Sequence, residues 1–289
     1  MNTSRSFLVA ARDLYSGRPA FERARKLAVA GDRIILVHVE RKSLLPQPDE
    51  GDLPSASPVA PISDGVAMTW LDELAQSFAF DASVAIETVV LEGNPGRVIS
   101  DYARQVSASA IVVAAHREGI MRAMVLGSTA LRILRFAPCP VVVARESKVT
   151  EYQSAVIAVD LDPAAARLIA AAQGLLLKAE PTLLHVYRLV GEGQMRLSGL
   201  TEQALLALRE QARASVEKEM AQLRTQIPLA KVSLEYGFAG SAILEFVTRQ
   251  NSNVVFISQH RGSQLEERTL GSVTQFLLYH CPCDLILVP

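Results

Sequence analysis

The chain has 289 residues, 49% hydrophobic and 20% charged, which is enough apolar material for a large core and too much for a disordered segment. Its 29 Lys and Arg nearly balance 30 Asp and Glu, leaving a formal net charge of -1, so composition disfavours general nucleic-acid binding. The three cysteines, Cys139, Cys281 and Cys283, are too few and too unevenly placed for a disulfide framework. With no signal-peptide pattern in "MNTSRSFLVAARD" and no apolar run near the roughly 20 residues that span a bilayer, they place the chain in a reducing cytoplasm, off the membrane.

Along the chain, short β-branched apolar runs alternate with longer segments of helical spacing. The first half carries "FLVAARD" (7–13), "RIILVHVE" (33–40), "SVAIETVVL" (83–91), "AIVVAA" (110–115) and "PVVVAR" (140–145). The second half repeats the order with "AVIAVD" (155–160), "TLLHVY" (182–187), "KVSLEY" (231–236), "NVVFIS" (253–258) and "DLILVP" (284–289). Near-continuous apolar strands predict a sheet covered on both faces, and helical connections require parallel neighbours. Each half therefore reads as a doubly wound α/β domain with a five-stranded parallel sheet flanked by helices.

Among the helices, 201–227 has Thr201 as its predicted N-cap, and Leu205, Leu208, Ala212, Val216, Met220 and Leu223 recur every three or four residues. The corresponding first-half helix, in "GVAMTWLDELAQSF" (65–78), is shorter. Ahead of it, residues 43–65 are rich in Pro, Ser and acidic residues, as a surface loop is; a lid or docking segment is the other reading. Residues 189–200 occupy the same place in the second half.

The two halves are copies. An offset of 144 carries Gly93 to Gly237, Gly96 to Gly240, His116 to His260, Arg117 to Arg261, Leu126-Gly127-Ser128 to Leu270-Gly271-Ser272, and Pro138-Cys139 to Pro282-Cys283. Upstream, an offset of 147 carries Asp13-Leu14 to Asp160-Leu161 and His38-Val39 to His185-Val186. The expected domains are residues 1–147 and 148–289.

Strand-end Asp, "LVHV" or "LLHV", "LEGNPG" or "YGFAG", a fourth strand, "LGS", and the endings "APCPVVV" or "CPCDLILV" occur in this order twice. In that order the chain resembles the universal stress protein family in its tandem form, over almost its whole length. The resemblance implies an adenine-nucleotide α-hydrolase-like fold and a stress-response or regulatory binding protein rather than a conventional enzyme. It also implies that the fifth strands, "PVVVAR" and "DLILVP", pair to make an internal pseudo-dimer, which would cover two sheet edges. Further assembly into a homodimer is compatible with the family pattern.

The family's ATP-binding branch carries a G-x2-G-x9-G-[S/T] loop after the fourth strand. Glycine lets the backbone approach phosphates, and the final Gly-Ser opens a helix whose N–H groups face the anion. In this chain the helix-opening pairs Gly127-Ser128 and Gly271-Ser272 are present. The earlier glycine positions hold Ala114 and Arg117 in one copy and Ser258 and Arg261 in the other, where arginine side chains would crowd a triphosphate. The expectation is therefore no family-type ATP binding and no assigned cofactor.

Two roles stay open for the arginines. Each closes its own crevice by pairing with Asp13 or Asp160, or each grips a small anion or an altered ATP or ADP pose with the adjacent helix N-terminus. In the second role the chain is a nucleotide sensor with slow ATP hydrolysis.

His116 and His260 stand beside the arginines and titrate near neutral pH when unperturbed, yet no nucleophile or carboxylate accompanies them at a recognisable spacing. A local hydrogen-bonding role is expected for them, and a structural one for His38 and His185. His280, Cys281 and Cys283 are too close in sequence for a tetrahedral zinc site, and Cys139 and Cys283 are expected to be buried small residues. An ATP-pyrophosphatase-like enzyme would need an "SGGxDS"-type loop where this chain has "RDLYSG" and "VDLDPA".

Overall fold

The computed structural model describes residues 4–40, 65–77, 83–117, 124–125, 127–145, 149–176, 179–259 and 270–289, with the backbone alone at 16, 116, 117, 124 and 125. The chain forms two compact units. Unit 1 comprises Met1–Glu151, Gln259–Leu270 and Cys283–Pro289, and unit 2 comprises Tyr152–Ser258 and Gly271–Pro282.

Unit 1 runs β1 (Ser6–Ala10), α1 (Leu14–Leu27), β2 (Arg33–Glu40), α2 (Val66–Gln76), β3 (Ala85–Glu92), α3 (Pro95–Gln105), β4 (Ala110–Ala114), β5 (His116–Arg117), β6 (Met124–Val125), α4 (Ser128–Phe136) and β7 (Val141–Ala144). Its parallel strands lie in the order β3-β2-β1-β4-β7. Phe7, Leu8, Ile34, Ile35, Leu36, Ile111, Val112 and Val142 are fully buried because helices cover both faces. α1 packs with α2, and α3 with α4.

Unit 2 runs β8 (Ser154–Ala158), α5 (Ala164–Leu175), β9 (Glu180–Tyr187), α6 (Glu192–Leu197), α7 (Glu202–Arg224), β10 (Lys231–Tyr236), α8 (Ala239–Arg249), β11 (Val254–Ser258) and α9 (Ser272–His280). Its parallel strands repeat the order as β10-β9-β8-β11. The last strand, β12 (Asp284–Val288), lies in unit 1 and pairs antiparallel with β7 through Leu285↔Val143, Ile286↔Val142 and Leu287↔Val141. These are the two strands whose pairing the family resemblance implies.

The helix spanning 202–224 behaves as its pattern predicts. Thr201 caps it by accepting a hydrogen bond from the Ala204 N–H at 3.2 Å. Leu205 and Met220 are buried and Leu208, Ala212, Val216 and Leu223 half-buried, so the apolar stripe faces β9 and β10. α2, with 11 residues against 23 in α7, is the shorter counterpart.

The glycines repeated at 93/237 and 96/240 have separate reasons. Gly93 and Gly237 end the third strand of each copy at φ 135° and 145°, a region that a side chain disfavours. Gly96 and Gly240 allow close helix packing: a Cβ at Gly96 would stand 2.4 Å from Arg132 Cβ on α4, and one at Gly240 would stand 2.9 Å from Phe276 Cδ1 on α9.

Candidate functional site

In each unit the strand order reverses between the first and fourth strands of the repeat, β1 and β4 or β8 and β11, so a crevice opens beyond their carboxyl ends. In unit 1 that end receives Arg12 and Asp13 after β1, the segment after β4, and the start of α4. In unit 2 it receives Asp160 and Asp162 after β8 and the start of α9.

Strand register changes which of these residues correspond. Leu8 pairs with Ile35 on one side and Ile111 on the other; Val156 pairs with Thr182 and Val255. Ile35 and Thr182 each precede the second-strand histidine by three residues, and Ile111 and Val255 are related by the offset of 144. Leu8 is therefore the counterpart of Val156, which makes Arg12 the counterpart of Asp160 and Asp13 that of Leu161.

Independent side-chain bonds agree. His38 Nδ1 donates to the Ala11 carbonyl at 3.0 Å and His185 Nδ1 to the Val159 carbonyl at 2.8 Å. The identity match of Asp13 with Asp160 is thus one residue out: the buried positions Ala20, Phe21, Ala24 and Leu27 of α1 match Leu168, Ile169, Ala172 and Leu175 of α5 at the ladder's spacing, so the extra residue of the first copy lies between α1 and β2.

The two mouths consequently carry different chemistry. In unit 1 a guanidinium occupies the position of Asp160, and Arg12 Nε lies 3.0 Å from Asp13 Oδ2 in an exposed ion pair. In unit 2 Asp160 is exposed, while Asp162 caps the start of α5 by accepting from the Ala164 N–H at 2.9 Å. Arginine can only donate at the place where aspartate accepts.

Gly127 and Gly271 are the N-caps of α4 and α9, at φ -63°, ψ 156° and φ -57°, ψ 155°. Neither backbone needs glycine, and among the described residues a Cβ at either would meet nothing within 4 Å. Glycine offers no side-chain cap at either end, so Ser128 and Ser272 open helices whose first N–H groups receive no acceptor from their own N-cap residue.

The segment after β4 turns back as a short antiparallel ladder, His116↔Val125 and Arg117↔Met124, an element without a signal in the strand pattern. The side chains of His116 and Arg117, and residues His260 and Arg261, lie outside the described residues, as do the two anticipated Arg–Asp pairs.

The other anticipated side chains are structural in their contacts. His38 meets Trp70 edge-on at 5.1 Å, and both strand-end histidines brace the exit of the first strand. His280 stacks on Phe276 at 4.3 Å. All three cysteines are free thiols and buried, and burial pushes Cys139 up to about 12.

One polar cluster has no motif in the sequence. Glu192, at the first turn of α6, accepts from Arg196, Arg209 and the Tyr236 hydroxyl. Arg209 also lies over the Tyr236 ring at 4.7 Å, and Tyr236 meets Tyr187 edge-on at 5.4 Å. The Arg209 bond, followed by the Tyr236 and Arg196 bonds, holds the Glu192 carboxyl at about 2. Its members come from α6, α7, β9 and β10, so spacing along the chain gives no sign of it.

Comparison with known proteins follows the same division. The universal stress protein family profile matches residues 3–145 and again 151–289. A putative universal stress protein from Pseudomonas aeruginosa UCBPP-PA14 is similar in structure, with a TM-score of 0.69 at 17% identity over 99% of this chain and 93% of that one. A universal stress protein from Archaeoglobus fulgidus DSM 4304 gives a TM-score of 0.67 at 17% identity over 99% and 98% of the respective chains. A functionally unknown protein from Pseudomonas aeruginosa PAO1 gives 0.68 at 17% identity over 99% and 92%. No curated protein matches the sequence. Among the described residues no helix is long and apolar enough to cross a membrane. The two profile matches, over a fold with the same strand order in both copies, make the chain a member of the universal stress protein family with two of its domains in tandem.

Proposed function

We propose that this chain is a cytoplasmic stress-response or regulatory binding protein that does not take ATP in the manner of the family's ATP-binding branch, and that it works by binding rather than catalysis. The observation that carries this reading is the occupancy of the loop positions: Ala114 and Arg117 in one copy, Ser258 and Arg261 in the other, stand where that branch has glycine. A side chain at those positions takes the space that a phosphate needs beside bare backbone. Arg12 at the place of Asp160 adds a second departure in unit 1. Pairing of the two repeats through their fifth strands is supported by the β7–β12 ladder.

A nucleotide sensor with altered loops, with slow hydrolysis, is the second reading. It is favoured by Gly127 and Gly271, which neither backbone conformation nor any neighbour among the described residues requires, and which stand at helix N-termini, where N–H groups attract an anion.

The test is calorimetric titration of the nucleotide-free protein with ATP, ADP and inorganic phosphate in the presence of magnesium. Absence of ATP binding is expected, and micromolar ATP affinity refutes the first reading in favour of the second. Arg117→Gly and Arg261→Gly, singly and together, separate the roles of the arginines: affinity rises if they block the crevices and falls if they grip an anion.

A further inference from the structure

β7 and β12 are the strands through which chains of this kind have an edge to pair. Both are short, wholly buried and, apart from Asp284, apolar: "VVVA" and "DLILV". Backbone ladders alone do not distinguish such strands, so an edge like that of β7 is also a template for the β7 of another molecule. The side chain that breaks the likeness between the two strands is Asp284.

Within unit 1, Asp284 and Arg23 are both fully buried, and Arg23 Nε lies 2.6 Å from Asp284 Oδ2 in an ion-pair contact. Asp284 Oδ1 accepts from the Arg145 N–H at 2.7 Å, and Arg23 Nη1 donates to the Thr150 carbonyl at 2.5 Å. One carboxylate therefore ties the first residue of β12 to α1 and to the residue that follows β7.

Neither copy can supply this arrangement to itself. In a β7–β7 ladder centred on Val142, as β7–β12 is on Ile286↔Val142, the position of Asp284 falls to Pro140. Arg23 would then be buried without that carboxylate. In a β12–β12 ladder, the counterpart of Arg145 is Pro289, which has no N–H.

The counterpart of Arg23 is Ala171. The core positions Ala20, Phe21, Ala24 and Leu27 of α1 fall on Leu168, Ile169, Ala172 and Leu175 of α5, all of them buried. The first pairing takes the Asp284 carboxylate from a buried Arg23, and the second takes the Arg23 guanidinium and the Arg145 N–H from a buried Asp284, losses that proteins avoid.

We propose that the Arg23–Asp284 pair is a pairing-specificity device: it reserves the edge of β7 for the last strand of the chain and shuts it to the β7 of a second copy. Its main product is choice of partner rather than net stability, because a buried ion pair and a well-packed apolar pair are often of similar stability.

The experiment uses the full chain with Val142→Cys and Ile286→Cys, whose side chains face each other across the β7–β12 ladder. Under diamide the intact pair should give the link between positions 142 and 286 within one chain. In the same background, Arg23→Met with Asp284→Leu should raise the fraction of chains linked 142-to-142 between molecules by about tenfold or more, with mass measured by light scattering.

Asp284→Asn, isosteric and able to accept at Oδ1, is the milder form and should move in the same direction. Interchain linkage in either variant supports the proposal. If both variants link within the chain as the parent does, Arg23 and Asp284 do not select the partner and the proposal falls.

Discussion

Replacing Gly96 by alanine should destabilise the protein, and the same change at the repeated position Gly240 should cost clearly less. At Gly96 the new methyl would stand 2.4 Å from Arg132 Cβ, 3.3 Å from its Cδ and 3.4 Å from its Cγ. Comfortable carbon–carbon contact needs about 3.5–4.0 Å, so more than about 1 Å must be found. Because Arg132 Cβ is fixed by the α4 backbone, α3 and α4 have to part. At Gly240 the nearest atoms are Phe276 Cδ1 at 2.9 Å and Cγ at 3.2 Å, on a ring that can tilt.

Overpacking costs about 1–3 kcal/mol, offset by at most about 0.5–1 kcal/mol for replacing a helical glycine. Gly96 and Gly240 are the second residues of α3 and α8, where the offset is smaller for both. The net expectation is a loss of about 1–2.5 kcal/mol for Gly96→Ala and about 0–1 kcal/mol for Gly240→Ala. Urea titration followed by circular dichroism measures both, as a fall in midpoint at unchanged slope. A Gly96→Ala protein as stable as the parent, or a larger loss at Gly240 than at Gly96, refutes the steric argument. Because α4 also carries Gly127 and Ser128, the parting of α3 and α4 should reach the unit 1 crevice.

Burial opposes ionisation of Asp32, but the Arg5 side-chain bonds and the N–H groups of Val29 and Arg5 outweigh it and hold its carboxyl below the ordinary value of 3.8. The stabilisation is therefore complete above that value and is lost as pH falls through the lowered folded one; Asp32→Asn should flatten this part of the acid-unfolding curve, and an unchanged curve contradicts it. With Cys139 pushed up to about 12 and all three thiols buried, Ellman's reagent at pH 8 should modify none of them in the native protein and all of them in urea; rapid native labelling would overturn the burial assignment. Glu192→Gln should speed amide exchange across Glu192–Leu197. Since the Arg209, Tyr236 and Arg196 bonds hold Glu192 at about 2, acidifying the parent only to pH 4 should not, and equal exchange in parent and variant would show that the cluster does not hold α6.

Much of the fold is legible from residue order because the signals are local. "KVSLEY" and "RIILVHVE" coincide with β10 and β2 to the residue, since β-branched runs bounded by polar turns have little alternative but a strand. Thr201 and the stripe from Leu205 to Leu223 announce α7 through a cap and a period that depend only on neighbours. The repeat is legible too, and with it the positions of Gly127-Ser128 and Gly271-Ser272 at helix starts. The α6 turn and the β5–β6 ladder are not, being too short to carry a period.

By itself, then, the order of residues determined the α/β class, the duplication and the loss of the loop glycines, all properties of neighbouring residues or of one copy matched against another. The tertiary structure alone decided three other matters. Inter-strand hydrogen bonds set which residue of β1 corresponds to which of β8, placing Arg12 rather than Asp13 opposite Asp160, because a ladder counts positions while an alignment rewards identities. Helix packing explains why Gly96 and Gly240 recur, since the atoms that forbid a Cβ come from Arg132 and Phe276 on other helices. The seat of β12 beside β7 brings together Arg23, Arg145 and Asp284, which lie far apart in sequence and which burial makes interdependent, because an ionised group out of water must find its partner wherever the fold brings one.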